Sequence, residues 1–289
     1  MLLQLHITGC PRDIAEEISE TLESLAILAL TLTDNQDNPI LEPELGTTPL
    51  WPTVIIDALF SNKKDAEEAQ RLLTEQFPSI ESSLAPLPDH DWDRLNKDQF
   101  TPKRFGSRLW ICPSWTPPPD PEGIHLILDP GLAFGTGSHA TTSLCLTWLA
   151  EADVHGKTMI DYGCGSGILA LSALKLGAQH VSAVDIDAQA LLATKNNALA
   201  NGLSTEKLTI CPPDSLKTPV DLLLANILLA PLITLKTRFE SLLKANGLLV
   251  VSGLLEEQAN TVITAYATTF THERTISSDG WSLVVFALA

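Results

Sequence analysis

From residue 157 onward, short apolar runs alternate with stretches of helical spacing, and no other feature narrows the possible folds as much. The strand-like runs are TMID (158–161), HVSAVDI (180–186), LTIC (208–211), DLLLAN (221–226) and GLLVVSG (247–253). Helical spacing fills 168–176, 188–201, 228–243 and 255–270. Strands buried on both faces read as continuous apolar runs, and helices between them provide the crossovers of a parallel sheet. Residues 272–289 depart from this rhythm, with two strand-like runs around SSDG (277–280) and no helix. The expectation is an α/β sheet that ends in an antiparallel hairpin.

The first strand runs straight into three alternating glycines and a helix: MIDYGCGSGILA, residues 159–170. That puts Gly163, Gly165 and Gly167 at the carboxyl edge of the sheet, where open α/β sheets bind ligands. Glycine lets a backbone approach a ligand closely, and free N–H groups at the helix start favour an anionic group. The next strand ends in Asp185, 22 residues after Gly163. At that spacing a carboxylate can take the two hydroxyls of a ribose. Asp187 is the better candidate to cap the following helix.

These two signals fit a dinucleotide-dependent oxidoreductase as well as an S-adenosylmethionine-dependent methyltransferase. Three details favour the second. The glycines read GxGxG with Asp161 two residues ahead, the sheet closes in a hairpin rather than a second mononucleotide half, and the fourth strand ends in the neutral amide of Asn226. An amide there can accept from an amine N–H and hold the nitrogen lone pair toward a sulfonium methyl. Upstream, LAFGTGSHATT (132–142) is a second glycine-rich loop opening a helix, and it lacks the lysine of a P-loop. His139 is a candidate general base, although a histidine in such a loop more commonly packs or hydrogen-bonds. Asp214, after the third strand, is a candidate contact for an adenine amine.

The first 85 residues carry a different pattern, βαββαβ, with strands at 2–8, 27–33, 54–60 and 80–87 and helices at 12–26 and 63–77. This is the order of a small α+β ferredoxin-like sandwich. It holds 4 basic and 15 acidic side chains, so −11 of the formal net charge of −17 lies there. Such a balance argues against neutralising nucleic-acid phosphates and suits a basic partner, or simply solubility. Five scattered cysteines without a CxxC pair indicate reduced thiols and no zinc site. No stretch is apolar enough to span a membrane, and a cytoplasmic monomer is expected.

The loop FGTGSHATT (134–142), then IDYGCGSGILALSALKLGA (160–178), VDIDAQAL (184–191) and ANILLAPL (225–232), together resemble the bacterial ribosomal protein L11 methyltransferase (PrmA) family. RFGSRLWICPSW (104–115) and LDPGLAFGTG (128–137) are similar to it as well. The resemblance implies a substrate-recognition domain over 1–87 and a class I methyltransferase domain over 126–289, and the proline-rich residues between them, 88–125, read as a linker and entry segment with a short connecting helix over 91–97. It implies a Rossmann-like seven-stranded sheet, S-adenosyl-L-methionine as cofactor and no metal. The partner would be a basic large-subunit ribosomal protein, methylated on its α-amine and on lysines. Carried over by motif, Thr142, Gly163, Gly165, Asp185 and Asn226 are the cofactor-site positions, with Asn226 also facing the amine. The FGTG loop would cover the methionine end of the cofactor, with Thr141 or Thr142 offering a hydroxyl to its carboxylate. A glutamine-amide methyltransferase would favour Asn-Pro-Pro-Tyr after the fourth strand, where Asn226-Ile-Leu-Leu stands. A non-catalytic assembly factor on the same fold is the reading from a different class.

Overall fold

The computed structural model describes residues 2–36, 38, 40, 47–87, 100–129, 137, 139–204 and 206–289. The chain divides into two compact units, Met1–Trp92 and Asp93–Ala289.

In the first unit the elements follow as β1 (Leu3–Pro11), α1 (Arg12–Glu23), β2 (Ile27–Asp34), β3 (Thr53–Phe60), α2 (Lys63–Gln76) and β4 (Ser82–Pro86). The strands form one antiparallel sheet in the order β2-β3-β1-β4. Leu5, Ile7, Val54, Ile56 and Phe60 alternate onto one face, where Ile18 and Leu22 of α1 and Ala69 and Leu73 of α2 pack over them. Glu16, Glu17, Glu20, Glu67 and Glu68 lie on the exposed sides of these helices. Period-2 strands and period-3.6 helices thus share one apolar seam and leave the acids in water. The first helix ends at Glu23 rather than at residue 26, because Ser24 turns the chain, its hydroxyl donating to the Thr21 carbonyl at 2.7 Å.

The second unit opens with a small sheet of β5 (Lys103–Phe105), β6 (Leu109–Cys112) and β7 (Ile124–Ile127). Part of the segment expected as linker and entry, residues 88–125, therefore contributes Phe105, Leu109 and Ile111 to the core of this unit. The expected short helix near 91–97 lies outside the described residues. Then come α3 (Ala140–Glu151), β8 (Thr158–Tyr162), α4 (Ile168–Lys175), β9 (His180–Val184), α5 (Ala188–Ala200), β10 (Leu208–Cys211), β11 (Val220–Asn226), α6 (Leu229–Ser241), β12 (Leu243–Leu255), α7 (Ala259–Tyr266), β13 (Phe270–Ser278) and β14 (Trp281–Leu288).

The seven-stranded sheet has the order β10-β9-β8-β11-β12-β14-β13. All neighbours from β10 to β12 are parallel, and β14 runs antiparallel to both β12 and β13. This is the class I methyltransferase arrangement. Its two faces have separate cores: Leu222, Leu224 and Val250 point toward α3 and α4, and Leu223, Ala225 and Val251 toward α6 and α7. The helix expected over 255–270 is shorter. β12 continues to Leu255 because Leu254 and Leu255 pair with Ser282 and Trp281 of β14, and β13 begins at Phe270 opposite Leu288. The closing hairpin turns on Asp279 and Gly280, both with positive φ (53° and 77°), the conformation of a two-residue type I′ turn. Among the described residues, no helix is long and apolar enough to cross a membrane.

Strand order reverses between β8 and β11, so the carboxyl ends of these strands diverge and leave a crevice.

Candidate functional site

At the end of β8 the chain turns through Gly163, whose φ is +82°. A Cβ there would stand 2.5 Å from Ile227 Cγ2, so a side chain is excluded by contact as well as by backbone angle. The N–H groups of Gly163 and Cys164 both donate to the Val184 carbonyl, at 2.7 and 2.9 Å, which fixes the loop against the end of β9. From the other side α5 holds it. Thr194 Oγ1 donates to the Gly165 carbonyl at 3.1 Å and Asn197 Nδ2 to the Ser166 carbonyl at 2.8 Å.

Asp185 follows directly on β9. Its Oδ2 accepts from the Gly165 N–H at 2.9 Å and its Oδ1 from the Asp187 N–H at 3.0 Å. Asp187 in turn accepts from the Gln189 N–H at 2.9 Å and caps α5. The two aspartates thus divide the work: one caps, and the other stands anchored at the rim with lone pairs to spare. A cleft of about 720 Å³ opens beside it, lined by Gly163, Gly165, Asp185 and Ile227 and walled by Ile186, Leu192, Pro231 and Leu235. Ile186 is 90% exposed, an apolar side chain on an open wall. Volume and lining suit a largely apolar ligand held by a few polar groups.

Asn226 closes β11 on the far side of Gly163. Its Nδ2 lies 3.4 Å from Thr142 Oγ1, and Thr142 is buried in the first turn of α3. This places Asn226 and Thr142 together, one residue from the cleft wall at Ile227. His139 occupies the N-cap of α3: its Nδ1 accepts from the Thr141 N–H at 3.3 Å and lies 2.8 Å from Thr141 Oγ1. Its ring meets Trp281 edge-on at 4.8 Å. Nδ1 of the ring is thus engaged in the cap, and the ring also carries an aromatic contact. Asp214 is exposed beside Pro213, itself part of the cleft wall. Of the upstream glycine-rich loop, Phe134, Gly135, Thr136 and Ser138 lie outside the described residues, while the Gly137 carbonyl accepts from Ser143 Oγ at 3.1 Å.

Asp161 is the residue whose importance the sequence pattern undersells. It is buried beneath the glycine loop, where Oδ2 accepts from the Ala170 N–H at 2.9 Å and Oδ1 has no partner among the described residues. Burial raises its carboxyl to about 7; the Ala170 N–H opposes the rise and the charge of Asp185 adds to it. The apolar walls at Ile186, Leu192, Pro231 and Leu235 were also missed, since nothing local separates a cleft leucine from a core leucine. An anchored rim carboxylate, a turn that a Cβ would block and apolar walls together fit a ligand carrying a sugar. Among the described residues, no three His, Cys, Asp or Glu side chains cluster closely enough to hold a metal ion.

Comparison with known proteins gives the same picture over the whole chain. The family profile described as ribosomal protein L11 methyltransferase (PrmA) matches residues 2–288. A ribosomal protein L11 methyltransferase of Legionella pneumophila (strain Corby) is 58% identical over 286 residues, 99% of each chain. One from Hahella chejuensis is 44% identical over 272 residues, 93% of each chain. Among solved structures, the ribosomal protein L11 methylase of Lactobacillus delbrueckii subsp. bulgaricus is similar at 31% identity with a TM-score of 0.61, covering 65% of this chain and 99% of that one.

Proposed function

Because the chain belongs to the ribosomal protein L11 methyltransferase (PrmA) family, we propose that it transfers methyl groups from S-adenosylmethionine to the α-amine and lysine ε-amines of ribosomal protein L11. The observation that carries this reading is the pairing of two features on one sheet edge: the cleft at Gly163, Gly165 and Asp185, and the Asn226–Thr142 contact beside it.

Bound there, S-adenosylmethionine supplies a methyl group already activated by its sulfonium charge. What this chain adds is alignment and the exclusion of water. Asp185 keeps lone pairs for ribose hydroxyls, because two backbone N–H groups have already fixed its orientation. Ile186 and Leu192 give the base an apolar wall. Thr142 stands at the N-terminus of α3, where a hydroxyl and the helix end together suit a carboxylate. The Nδ2 donation of Asn226 to Thr142 turns the amide so that Oδ1 is left to accept from the incoming amine. That acceptor orients the nitrogen lone pair without removing a proton from it.

The amine must arrive neutral. A protein α-amine, with a pKa of about 8, is partly so at physiological pH, whereas a lysine at about 10.4 starts roughly 4 kcal/mol away. Burial near a positive sulfonium lowers both. No dedicated base is therefore required, in keeping with the engagement of His139 in a cap.

Incubation with S-adenosylmethionine and L11 should add 14-Da increments to L11 by mass spectrometry, at about 14 Da per methyl group by the chemistry of the transfer. Asp185→Ala should weaken S-adenosylhomocysteine binding about 100-fold, the worth of two charge-assisted hydrogen bonds. Asn226→Ala should leave that binding nearly unchanged and lower kcat about 100-fold. Full activity in both variants removes the assignment of this edge.

A further inference from the structure

A second cleft, of about 930 Å³, lies in the same unit, and its lining shares no residue with the first. Its floor and one wall come from α3, through Ser143, Thr147 and Glu151, and the other wall from β13, through Arg274 and Ile276. The inner end is at the carboxyl edge of the sheet. There Trp281 pairs with Leu255, the last residue of β12, and packs against His139, the cap of α3. His139 holds Thr141, and the next residue, Thr142, receives the Asn226 amide. The groove therefore starts within a few residues of the transfer point and runs away from it along the helix, on the side opposite Asp185.

From His139 to Glu151 is twelve residues of helix, about 18 Å. That length takes about five residues of extended chain. The lining is mixed in sign, with Lys103 and Arg274 against Glu151 and Asp279, and hydroxyl-bearing at Ser143, Thr147 and Ser277. Nucleic acid would ask for a groove of one sign. A polypeptide, with backbone amides and side chains of either charge, matches hydroxyls and paired charges.

We infer that this groove holds an extended polypeptide segment of the methyl acceptor, delivering its amine to Asn226 past the Trp281–His139 pair. The inference rests on the function proposed above and deepens it. With adenosine placed at Asp185 on one side of the edge, as proposed above, an in-line approach to the methyl comes from the other, and this groove is a cleft on that side.

The experiment uses the full chain with Thr147→Arg, which fills the groove from an exposed position, and Arg274→Glu, which reverses a charge on its wall. Both should raise KM for L11 about tenfold while kcat and S-adenosylhomocysteine affinity stay close to native, the pattern of lost substrate binding. As an independent readout, a photo-crosslinking residue at Thr147 should capture L11 and not do so when an unlabelled peptide of the acceptor terminus competes. If the native enzyme methylates L11 and both variants keep its KM, the groove assignment alone is overturned. If the native enzyme does not methylate L11, the function falls and takes the groove with it. An RNA affinity that drops in Arg274→Glu while KM for L11 is unmoved also overturns the inference, in favour of a nucleic-acid site.

Discussion

Single atoms decide whether the glycine loop can form. Gly163→Ala adds a Cβ 2.5 Å from Ile227 Cγ2 at a φ of +82°, so both sterics and backbone angle oppose it. It should cost about 1–3 kcal/mol and weaken cofactor binding, and Ile227→Ala in the same chain, which deletes Cγ2, should recover only the steric part, as thermal melts with and without S-adenosylhomocysteine will resolve. Asp161 yields a pH signature. Its carboxyl titrates at about 7 when folded against an ordinary 3.8, so between those values the unfolded chain gives up a proton that the folded chain keeps. The favourable term is fully present below 3.8 and is lost as pH rises through about 7. Asp161→Asn cannot ionise and still offers an oxygen to the Ala170 N–H. Its melting temperature relative to the native protein should climb from about pH 4 to about pH 8, by the equivalent of a few kcal/mol at most, and an offset that is flat with pH would show that Asp161 does not titrate in this window.

Between elements, the clearest single fastening is Asn201, at the C-cap of α5. Its amide accepts from the Ile127 N–H at 2.7 Å and donates to the Ile127 carbonyl at 2.7 Å, continuing β7 with a side chain in place of a strand. Asn201→Ala strands both backbone groups at a partly buried edge and should destabilise the fold by about 1–3 kcal/mol, read from denaturant melts, with cofactor affinity changed little. At this scale the sequence was legible where elements are buried on both faces. β8, β9, β10 and β11 lie within a residue or two of their apolar runs, since an apolar run of that length between turn signals has few other uses. Boundaries set by partners were not legible. β12 reaches Leu255 because β14 is there to pair with it, and helical spacing in residues 255–258 gave no hint of that.

For the whole molecule, each unit carries its own core, Leu5, Ile56 and Phe60 in the first and two sheet-face clusters in the second. The fragment 93–289 should therefore bind S-adenosylhomocysteine with native affinity, and calorimetry will show it, yet lose most methylation of L11 if residues 1–85 recruit the acceptor. With −11 charges in those residues, native kcat/KM for L11 should fall several-fold from about 50 mM to about 500 mM salt while cofactor affinity holds, as screening of a charged encounter requires. What the sequence determined by itself was periodicity and local chemistry: the β/α alternation, the glycine turn, Asp185 ending a strand, and the hairpin at SSDG. These are short-range, because a residue's side of a strand or its freedom at positive φ is set within a few positions of chain. Only the tertiary structure decided that Asn226 meets Thr142 across 84 residues, that Asp161 has an oxygen without a partner among the described residues, and that α3 and β13 enclose a groove. Those depend on which strands become neighbours, and burial, which raises a carboxyl from an ordinary 3.8 to about 7, is fixed by that packing and by nothing local.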